Sequence, residues 1–162
     1  MAIEYFCISD SDTDMLEQIV QLERQVNGSK SANLGYFEAQ SLIRYGRVYA
    51  ALEYDEVLGA AYFLRDFDNP GRALLYSILT NPRESGKGIG QSLLLSAFSD
   101  LAESGVRMVE VISSPRNQKA LRIYQQDLGF RIINAASEED LESERFLILR
   151  KNLGESRANR IE

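Results

Sequence analysis

The chain has 162 residues, of which 44% are hydrophobic and 26% are charged, and its formal net charge is −6. The length suits one domain with one substantial core, and the composition is that of an ordinary soluble globular protein. The sequence contains no histidine, which excludes serine–histidine triads, histidine acid–base catalysis and histidine-ligated metals. Its only cysteine, Cys7, cannot form a disulfide within the chain, and its apolar surroundings predict a core position. We therefore expect no metal site.

The first residues, 1–4, lack the basic and apolar regions of a signal peptide, and no apolar run approaches the length that crosses a membrane. We expect a cytoplasmic protein with no membrane partner.

Hydrophobic periodicity predicts a strand, two helices and three more strands in the first half of the chain. The strand over 3–8 precedes a helix that begins near residues 11–14 and is broken at 27–29. A short helix over 36–44 follows. The three strands are expected at 48–54, 57–64 and 73–80, with a tight turn at Asp55-Glu56 between the first two.

The second half continues the alternation of helices and strands. A helix over 90–102 is closed by Gly105, and a strand over 107–113 precedes a helix over 117–127. Strands at 130–133 and 145–150 complete the order β-α-α-β-β-β-α-β-α-β-β. No linker or repeat separates a second domain, so we predict a single domain over 1–150 and a polar C-terminal tail over 151–162.

A glycine cluster stands where the strand over 73–80 passes into the next helix. The segment reads Ser85-Gly86-Lys87-Gly88-Ile89-Gly90, and glycines at alternate positions allow consecutive backbone N–H groups to point at one anion at a helix N-terminus. A nucleotide P-loop would need glycine at 81 and serine or threonine at 88, and a dinucleotide fingerprint would need glycine at 91; the chain has Asn81, Gly88 and Gln91. The remaining alternative is a tight turn that binds nothing.

A second motif follows about thirty residues later, where Asn117-x-x-Ala120-x-x-x-Tyr124 leads to Leu128-Gly129-Phe130. Together the two segments resemble motifs A and B of the GNAT superfamily, the acetyl-CoA-dependent N-acetyltransferases, and the likeness extends in element order from residue 3 to residue 150. The resemblance implies an α/β fold (α+β in some schemes), with a mixed, strongly twisted sheet of about seven strands and helices on both faces. It also implies acetyl-CoA as the acetyl donor.

The resemblance assigns the residues that bind the donor. The pantetheine arm would pair with the fourth strand where that strand splays from the fifth, and the pyrophosphate would sit on the amides of the glycine turn. Ser85 departs from the family signature, which has arginine or glutamine there, so any side-chain contribution would come from Arg83 or Lys87. The assigned residues are Ile78, Leu79, Thr80, Ser85, Gly86, Lys87, Gly88, Ile89, Gly90 and Asn117.

Acetyl transfer to an amine needs a base, a site for the oxyanion and a proton for the leaving thiolate. Tyr124 is the candidate proton donor. Glu110 is the candidate base, because Glu110-Val111 resembles a pair in ribosomal-protein N-terminal acetyltransferases and the fourth strand lacks the glutamate found there in other members. The alternatives are a core tyrosine, a solvated strand carboxylate and, for Asn117, a plain helix N-cap. One extra residue between Tyr124 and Gly129, relative to the family spacing, predicts a bulge or a longer final turn.

The resemblance places the acceptor between the loop over 27–37 and the connection between the last two strands. Five carboxylates in that connection favour a cationic amine, although such a run is also typical of a solvated loop. They are Glu138, Glu139, Asp140, Glu142 and Glu144. Residues 83–122 carry six basic and four acidic residues, a charge of +2 that suits CoA and argues against nucleic acid.

We therefore expect an N-acetyltransferase acting on a primary amine, with a small molecule preferred over a protein N-terminus or lysine. A homodimer stays open. The alternative function is a non-catalytic acyl-CoA-binding sensor or regulatory module of the same fold.

Overall fold

The computed structural model describes residues 2–28, 34–135, 137, 139, 143 and 145–154. In this described part of the chain, seven strands form a sheet in the order β1-β2-β3-β4-β5-β7-β6, and β4 pairs with β5 in parallel. The strands are β1 Glu4–Cys7, β2 Arg47–Glu53, β3 Glu56–Arg65, β4 Arg72–Thr80, β5 Met108–Ser113, β6 Arg131–Ile132 and β7 Leu147–Asn152. The helices are α1 Thr13–Asn27, α2 Tyr36–Tyr45, α3 Ile89–Glu103 and α4 Gln118–Arg122. The predicted element order and fold class are confirmed.

The chain divides into two compact units, the first made of Met1–Leu64 and Tyr76–Ser99, the second of Arg65–Leu75 and Asp100–Glu162. Strand β4 and helix α3 each contribute residues to both. The family-like order of elements is thus distributed over two bodies, and the prediction of a single domain over 1–150 stays a prediction.

The first unit buries both faces of its central strands. On one face, residues of β2 and β3 pack against α1 and α2, with Leu16, Ile19, Val48, Ala60 and Tyr62 in one cluster. On the other face, the ring of Phe63 meets the rings of Tyr49 and Phe98 edge to face, with centroids 5.7 and 6.3 Å apart. Because helices cover both faces, β2 and β3 are nearly continuous runs of buried residues.

The turn between β2 and β3 lies one residue earlier than predicted. Its central residues, Tyr54 and Asp55, have φ angles of +50° and +65°, the pattern of a type I′ turn, which is usually built from asparagine and glycine. Gln18 of α1 holds this turn: its side-chain amide donates to the Asp55 carbonyl and its oxygen accepts from the Val57 amide, both at 2.9 Å. A tertiary contact therefore replaces the missing turn residues.

In the second unit, β5 lies between β4 and β7. Arg72–Leu75 of β4 pair in parallel with Met108–Val111, and β5 pairs antiparallel with β7. One face carries the buried strand residues Val109, Val111, Leu147 and Leu149. The register places Leu74, Glu110 and Arg150 side by side on the opposite face.

Two expectations need correction. Cys7 is exposed rather than in the core, because β1 is an edge strand of the sheet and the buried residue there is the next one, Ile8. The helix predicted over 117–127 is α-helical only over Gln118–Arg122, and Ile123–Asp127 form a π-helical turn. The π-helical turn is the longer final turn that the extra residue predicted.

Strand β7 extends to Asn152, so the predicted tail begins with two strand residues, and residues 155–162 lie outside the described part of the chain. Within that described part, none of the helices combines the length and the apolar character that a membrane crossing requires.

Candidate functional site

The glycine segment is a tight turn that opens α3. Asn81 begins it: its amide donates to the Leu58 carbonyl at 2.7 Å and its side chain accepts from the Arg83 amide at 3.0 Å. Gly86 and Gly88 then adopt φ angles of +83° and +71°, a region that residues with a Cβ atom avoid. The carbonyl of Gly88 accepts from the Ser92 amide at 3.0 Å, so the helix starts directly after this glycine.

This turn has the form of an anion cradle. A Cβ atom added at Gly86 or Gly88 would meet no atom within 4 Å, so both positions face open space. The first amides of a helix have no carbonyl acceptor inside that helix, and here these are the amides of Ile89 and Gly90. The turn therefore offers backbone donors at the positive end of a helix dipole, which is the chemistry that a pyrophosphate needs.

The first unit also brings the end of β4 against this turn. A Cβ atom at Gly90 would lie 3.3 Å from Thr80 Cγ2, a tight contact, and 3.6 Å from Ile78 Cδ1, so the helix start lies close against the end of the strand. Leu79, between them, is buried in the core of the unit. Three of the residues predicted to bind the donor, Ile78, Thr80 and Gly90, thus lie together.

The charged side chains of the turn are partly engaged. Lys87 Nζ contacts Glu84 Oε2 at 2.5 Å, and this hydrogen bond raises the pKa of Lys87. Ser85 closes the short 3₁₀ turn Pro82–Glu84, its amide donating to the Pro82 carbonyl at 3.3 Å. The Lys87 amide also donates to the Glu84 carbonyl, at 3.4 Å, so both nitrogens of this residue already have acceptors on Glu84.

The second unit holds the two candidate catalytic residues. Tyr124 lies in the π-helical turn, half-buried, with its ring 5.6 Å from the ring of Phe130 in an edge contact. Burial raises the pKa of the Tyr124 hydroxyl. The hydroxyl therefore keeps its proton at neutral pH, as a proton donor must.

Glu110 belongs to an ion-pair network across three strands. Its Oε2 accepts from Arg150 Nε at 3.0 Å and Nη2 at 2.9 Å, and its Oε1 lies 3.9 Å from Arg72 Nε. Arg72 in turn holds Asp66 through two hydrogen bonds, and this bonding lowers the pKa of the Asp66 carboxyl. Glu110 is thus no isolated carboxylate, and Oε1 is the oxygen left to accept a proton.

Asn117 caps α4, since its side-chain oxygen accepts from the Ala120 amide at 3.2 Å. The N-cap alternative for this residue is therefore present in the structure, and a contact with the donor would have to use the side-chain nitrogen. Asn117, Glu110 and Tyr124 belong to the second unit, whereas the glycine turn belongs to the first.

Most residues assigned to the acceptor lie outside the described part of the chain. These are residues 29–33 of the loop after α1, together with Glu138, Asp140, Glu142 and Glu144 of the acidic connection. At the edge of that loop, Tyr36 and Phe37 are exposed, with their rings 6.1 Å apart in an edge contact. Among the described residues, no group of three or more acidic, cysteine or histidine side chains could hold a metal ion.

A family model described as the Acetyltransferase (GNAT) family matches residues 14–130, which include the glycine turn, Glu110, Asn117 and Tyr124. The chain belongs to the GNAT family. The predicted class, an acyltransferase of the N-acetyltransferase type, is confirmed at the level of this family.

Two curated proteins resemble parts of this GNAT chain. A mycothiol acetyltransferase of Mycobacteroides abscessus is 34% identical over 77 residues, 48% of this chain and 26% of that protein. The L-amino acid N-acyltransferase MnaT of Escherichia coli is 30% identical over 99 residues, 60% of this chain and 56% of that protein. The matches thus span about a quarter and about half of these relatives.

A solved structure shares the fold at low sequence identity. The PaiA N-acetyltransferase of Thermoplasma acidophilum, in complex with coenzyme A, has a TM-score of 0.71 at 17% identity, with 94% of this chain and 99% of that one covered. At this identity the likeness establishes the fold.

Two basic residues of the GNAT chain were missed by sequence reasoning. Arg150 pairs with Glu110, and Lys151 Nζ donates to the Leu128 carbonyl at 2.5 Å. The signal for Arg150 was available in part, because alternation along β7 places it on the face opposite Leu149. Identifying its partner required the register between β5 and β7, which the sequence does not specify.

Proposed function

We propose that this chain is an acetyl-CoA-dependent N-acetyltransferase that transfers the acetyl group directly to a primary amine. The observation that carries the proposal is the glycine turn at the start of α3, with positive φ angles at Gly86 and Gly88 and open space beside both. A turn of this kind in a GNAT chain supports a pyrophosphate site, because an anion could occupy the open space beside backbone amides at the start of a helix.

The residues fit the donor in three places. The amides of Gly86, Gly88, Ile89 and Gly90 would hold the pyrophosphate, whereas the Lys87 amide within this segment already donates to the Glu84 carbonyl. The main chain of Ile78–Thr80 would hold the pantetheine arm, and Asn117 would contribute its side-chain nitrogen. Ser85 and Lys87 flank the cradle. Bound acetyl-CoA supplies the acetyl thioester that the amine attacks.

Tyr124 is proposed as the proton donor to the leaving thiolate. Because its pKa is raised by burial, the protonated form persists above neutral pH, and the alkaline loss of turnover should lie above the ordinary tyrosine value of 10.0. A general acid of this type contributes about 10²–10⁴-fold to the rate. We expect Tyr124→Phe to lower kcat within this range while acetyl-CoA still binds.

Glu110 is proposed as the base that accepts the ammonium proton, directly or through one water. Arg150 occupies Oε2 with two hydrogen bonds, so the proton would go to Oε1. The arginine also fixes the carboxylate in one orientation. We expect Glu110→Gln to lower kcat/KM, since the amide cannot accept the proton.

We propose a small-molecule amine as the acceptor. One curated relative is named for the acylation of L-amino acids, which supports this class over a protein amine. A cationic acceptor is proposed from the acidic residues at 138–144.

The proposed reaction is direct attack of the amine on the thioester, without a covalent enzyme intermediate. The chain has no histidine and its only cysteine, Cys7, lies outside both motifs, which agrees with direct attack. A homodimer and a cytoplasmic location remain predictions.

The test is calorimetric titration with acetyl-CoA, free CoA and NADH, followed by thiol release with a panel of amines. Binding of acetyl-CoA and CoA but not NADH, with thiol release on some amine, is the expected result. Tyr124→Phe is compared with Tyr45→Phe, a matched control because Tyr45 is 81% exposed. Failure of acetyl-CoA to bind would contradict the interpretation of the glycine turn.

The second candidate function is a non-catalytic acyl-CoA-binding sensor. Ser85 in place of the signature residue and the paired state of Glu110 favour it. A sensor would bind acetyl-CoA without thiol release on any amine, and Tyr124→Phe would leave it unchanged.

A further inference from the structure

The π-helical turn that contains Tyr124 is wider than an α-helical ending by one residue. The Leu128 amide donates to the Ile123 carbonyl at 3.1 Å, a bond that spans five residues. The Phe130 amide donates to the Tyr124 carbonyl at 2.8 Å and spans six residues, whereas the closing bond of a Schellman motif spans five. The extra residue between Tyr124 and Gly129 is therefore accommodated because each of these two backbone hydrogen bonds spans one residue more than in an ordinary helix ending.

The widened turn is anchored from β7. Lys151 Nζ donates to the carbonyl of Leu128, at the C-terminal end of the turn. A lysine at this end satisfies a carbonyl that the helix leaves without a partner and interacts favourably with the helix dipole. Gly129 follows with a φ angle of +74°, and a Cβ atom there would lie 3.6 Å from Lys151 Nζ. The chain thus reverses directly under the ammonium group.

The anchor reaches Tyr124 through Phe130. Phe130 is 2% exposed, its amide bonds the Tyr124 carbonyl, and its ring supports the Tyr124 ring. A path therefore runs from Lys151, through the chain segment 128–130 that it anchors, to the candidate proton donor.

The π-helical turn has an unusual geometry, but most of its residues are not buried. Gln125, Gln126 and Asp127 are exposed, so the extra residue fills no part of the core. Single π-helical turns are rare and occur often at functional sites. Among the residues whose backbone the widening redirects, Tyr124 is half-buried and carries a proton-donating group.

We propose that Lys151 and the π-helical turn over Ile123–Asp127 set the position of Tyr124, so that Lys151 is a positioning residue for proton donation to the leaving thiolate. The inference rests on the proposed function, because it assigns Tyr124 the role given there. It adds a residue that contacts neither the donor nor the acceptor, and it gives a reason for the additional residue in the turn.

The test is a double-mutant cycle with Lys151→Met and Tyr124→Phe, together with Lys151→Arg, which keeps a donor. We expect Lys151→Met to lower kcat about tenfold, because a small displacement of a catalytic group is costly, with the KM for acetyl-CoA unchanged. Lys151→Arg should restore most of the turnover. In the Tyr124→Phe background the lysine substitution should have no further effect. An equal loss in both backgrounds would overturn the inference, as would full turnover in Lys151→Met.

Deleting Gln126 provides a second variant that shortens the turn to the family spacing. We expect a loss of kcat with acetyl-CoA binding retained, and binding of acetyl-CoA serves as the check that the variant is folded. A folded deletion variant with full turnover would contradict a role for the widened turn.

Hydrogen exchange at the amides of Leu128 and Phe130 tests the anchor without any turnover. Faster exchange in Lys151→Met is expected, and unchanged exchange would overturn the inference even if no amine were ever found. Full turnover in Tyr124→Phe would instead contradict the proposed function, and the two failures are distinguishable because the lysine substitution would still accelerate exchange.

Discussion

Gly88 offers a direct test of the proposed anion cradle, because an added Cβ atom there would strain the backbone without colliding with another atom. Its φ angle of +71° is unfavourable for a residue with a Cβ atom, but the space beside it is open. Gly88→Ala therefore introduces backbone strain without a clash. Gly105→Ala is the matched control, since Gly105 has a φ angle of +90° and an added Cβ atom would make only an ordinary contact with Arg65 at 3.7 Å.

The size of the effect follows from the backbone conformation. The left-handed region costs an L-residue about 1–2 kcal/mol, and the reduced entropy of the unfolded chain returns about 0.4–1 kcal/mol. We expect each variant to lose about 1 kcal/mol of folding free energy, which for a chain of this size lowers Tm by about 2–4 °C.

Binding should distinguish the two variants. If Gly88→Ala relieves its strain by rotating the backbone, the neighbouring amides no longer converge, and acetyl-CoA affinity should fall about tenfold, or about 1.4 kcal/mol. Gly105→Ala should bind as the wild type does. The assay is calorimetric titration with acetyl-CoA alongside thermal unfolding of both variants. Equal losses of Tm with unchanged affinity in both would refute the cradle.

Three further predictions concern stability. Tyr62→Phe removes the 3.1 Å hydrogen bond to buried Glu23, and leaving that carboxylate oxygen without a partner should cost about 1–3 kcal/mol in denaturant unfolding; an unchanged midpoint would mean that the bond contributes nothing. Asp66→Asn should flatten the acid dependence of stability, because the wild-type carboxyl has a pKa below its ordinary value of 3.8 and loses its stabilising charge as pH falls through the folded pKa; parallel pH curves would contradict this. Arg150→Met should lower the free energy of unfolding by about 1–2 kcal/mol, since both bonds to half-buried Glu110 are lost. If the two residues are coupled, the double variant with Glu110→Gln and Arg150→Met should lose less stability than the sum of the two single variants.

The fold was largely predictable because its signals are local. Hydrophobic periodicity identified the order of elements, and the glycines at 86 and 88 marked the turn that opens α3. The hairpin turn at Tyr54–Asp55 was misplaced by one residue because Gln18, far away in sequence, stabilises it. Cys7 was misjudged because an apolar strand-like run does not reveal whether its strand lies at the edge of a sheet.

The candidate site was predictable only where backbone chemistry dominates. The glycine turn could be inferred from residue types alone, since positive φ angles leave a sequence signature. The pairing of Glu110 with Arg150 depends on strand register, and the anchoring of Leu128 by Lys151 depends on where a chain reversal meets a distant strand. Contacts between side chains that are far apart in sequence carry no comparable local signal.

The charges around Glu110 bear on which amine the proposed enzyme accepts. Asp66, Arg72, Glu110 and Arg150 form a linked set whose formal charges cancel, and the register adds Arg131 beside Arg150. The described part of this sheet face is therefore not negative, and any preference for a cationic acceptor must come from the acidic residues at 138–144.

That reasoning predicts a specific salt dependence. Attraction between exposed charges is screened over about 10 Å at about 0.1 M salt. We therefore expect the KM of a dicationic amine to rise several-fold between about 0.05 and about 0.5 M NaCl, while that of a zwitterionic amino acid changes little. Glu138→Gln and Glu142→Gln together should reduce this salt dependence. Turnover on amino acids alone, with no salt effect, would contradict the cationic acceptor and favour a carboxylate-bearing substrate that pairs with Arg131.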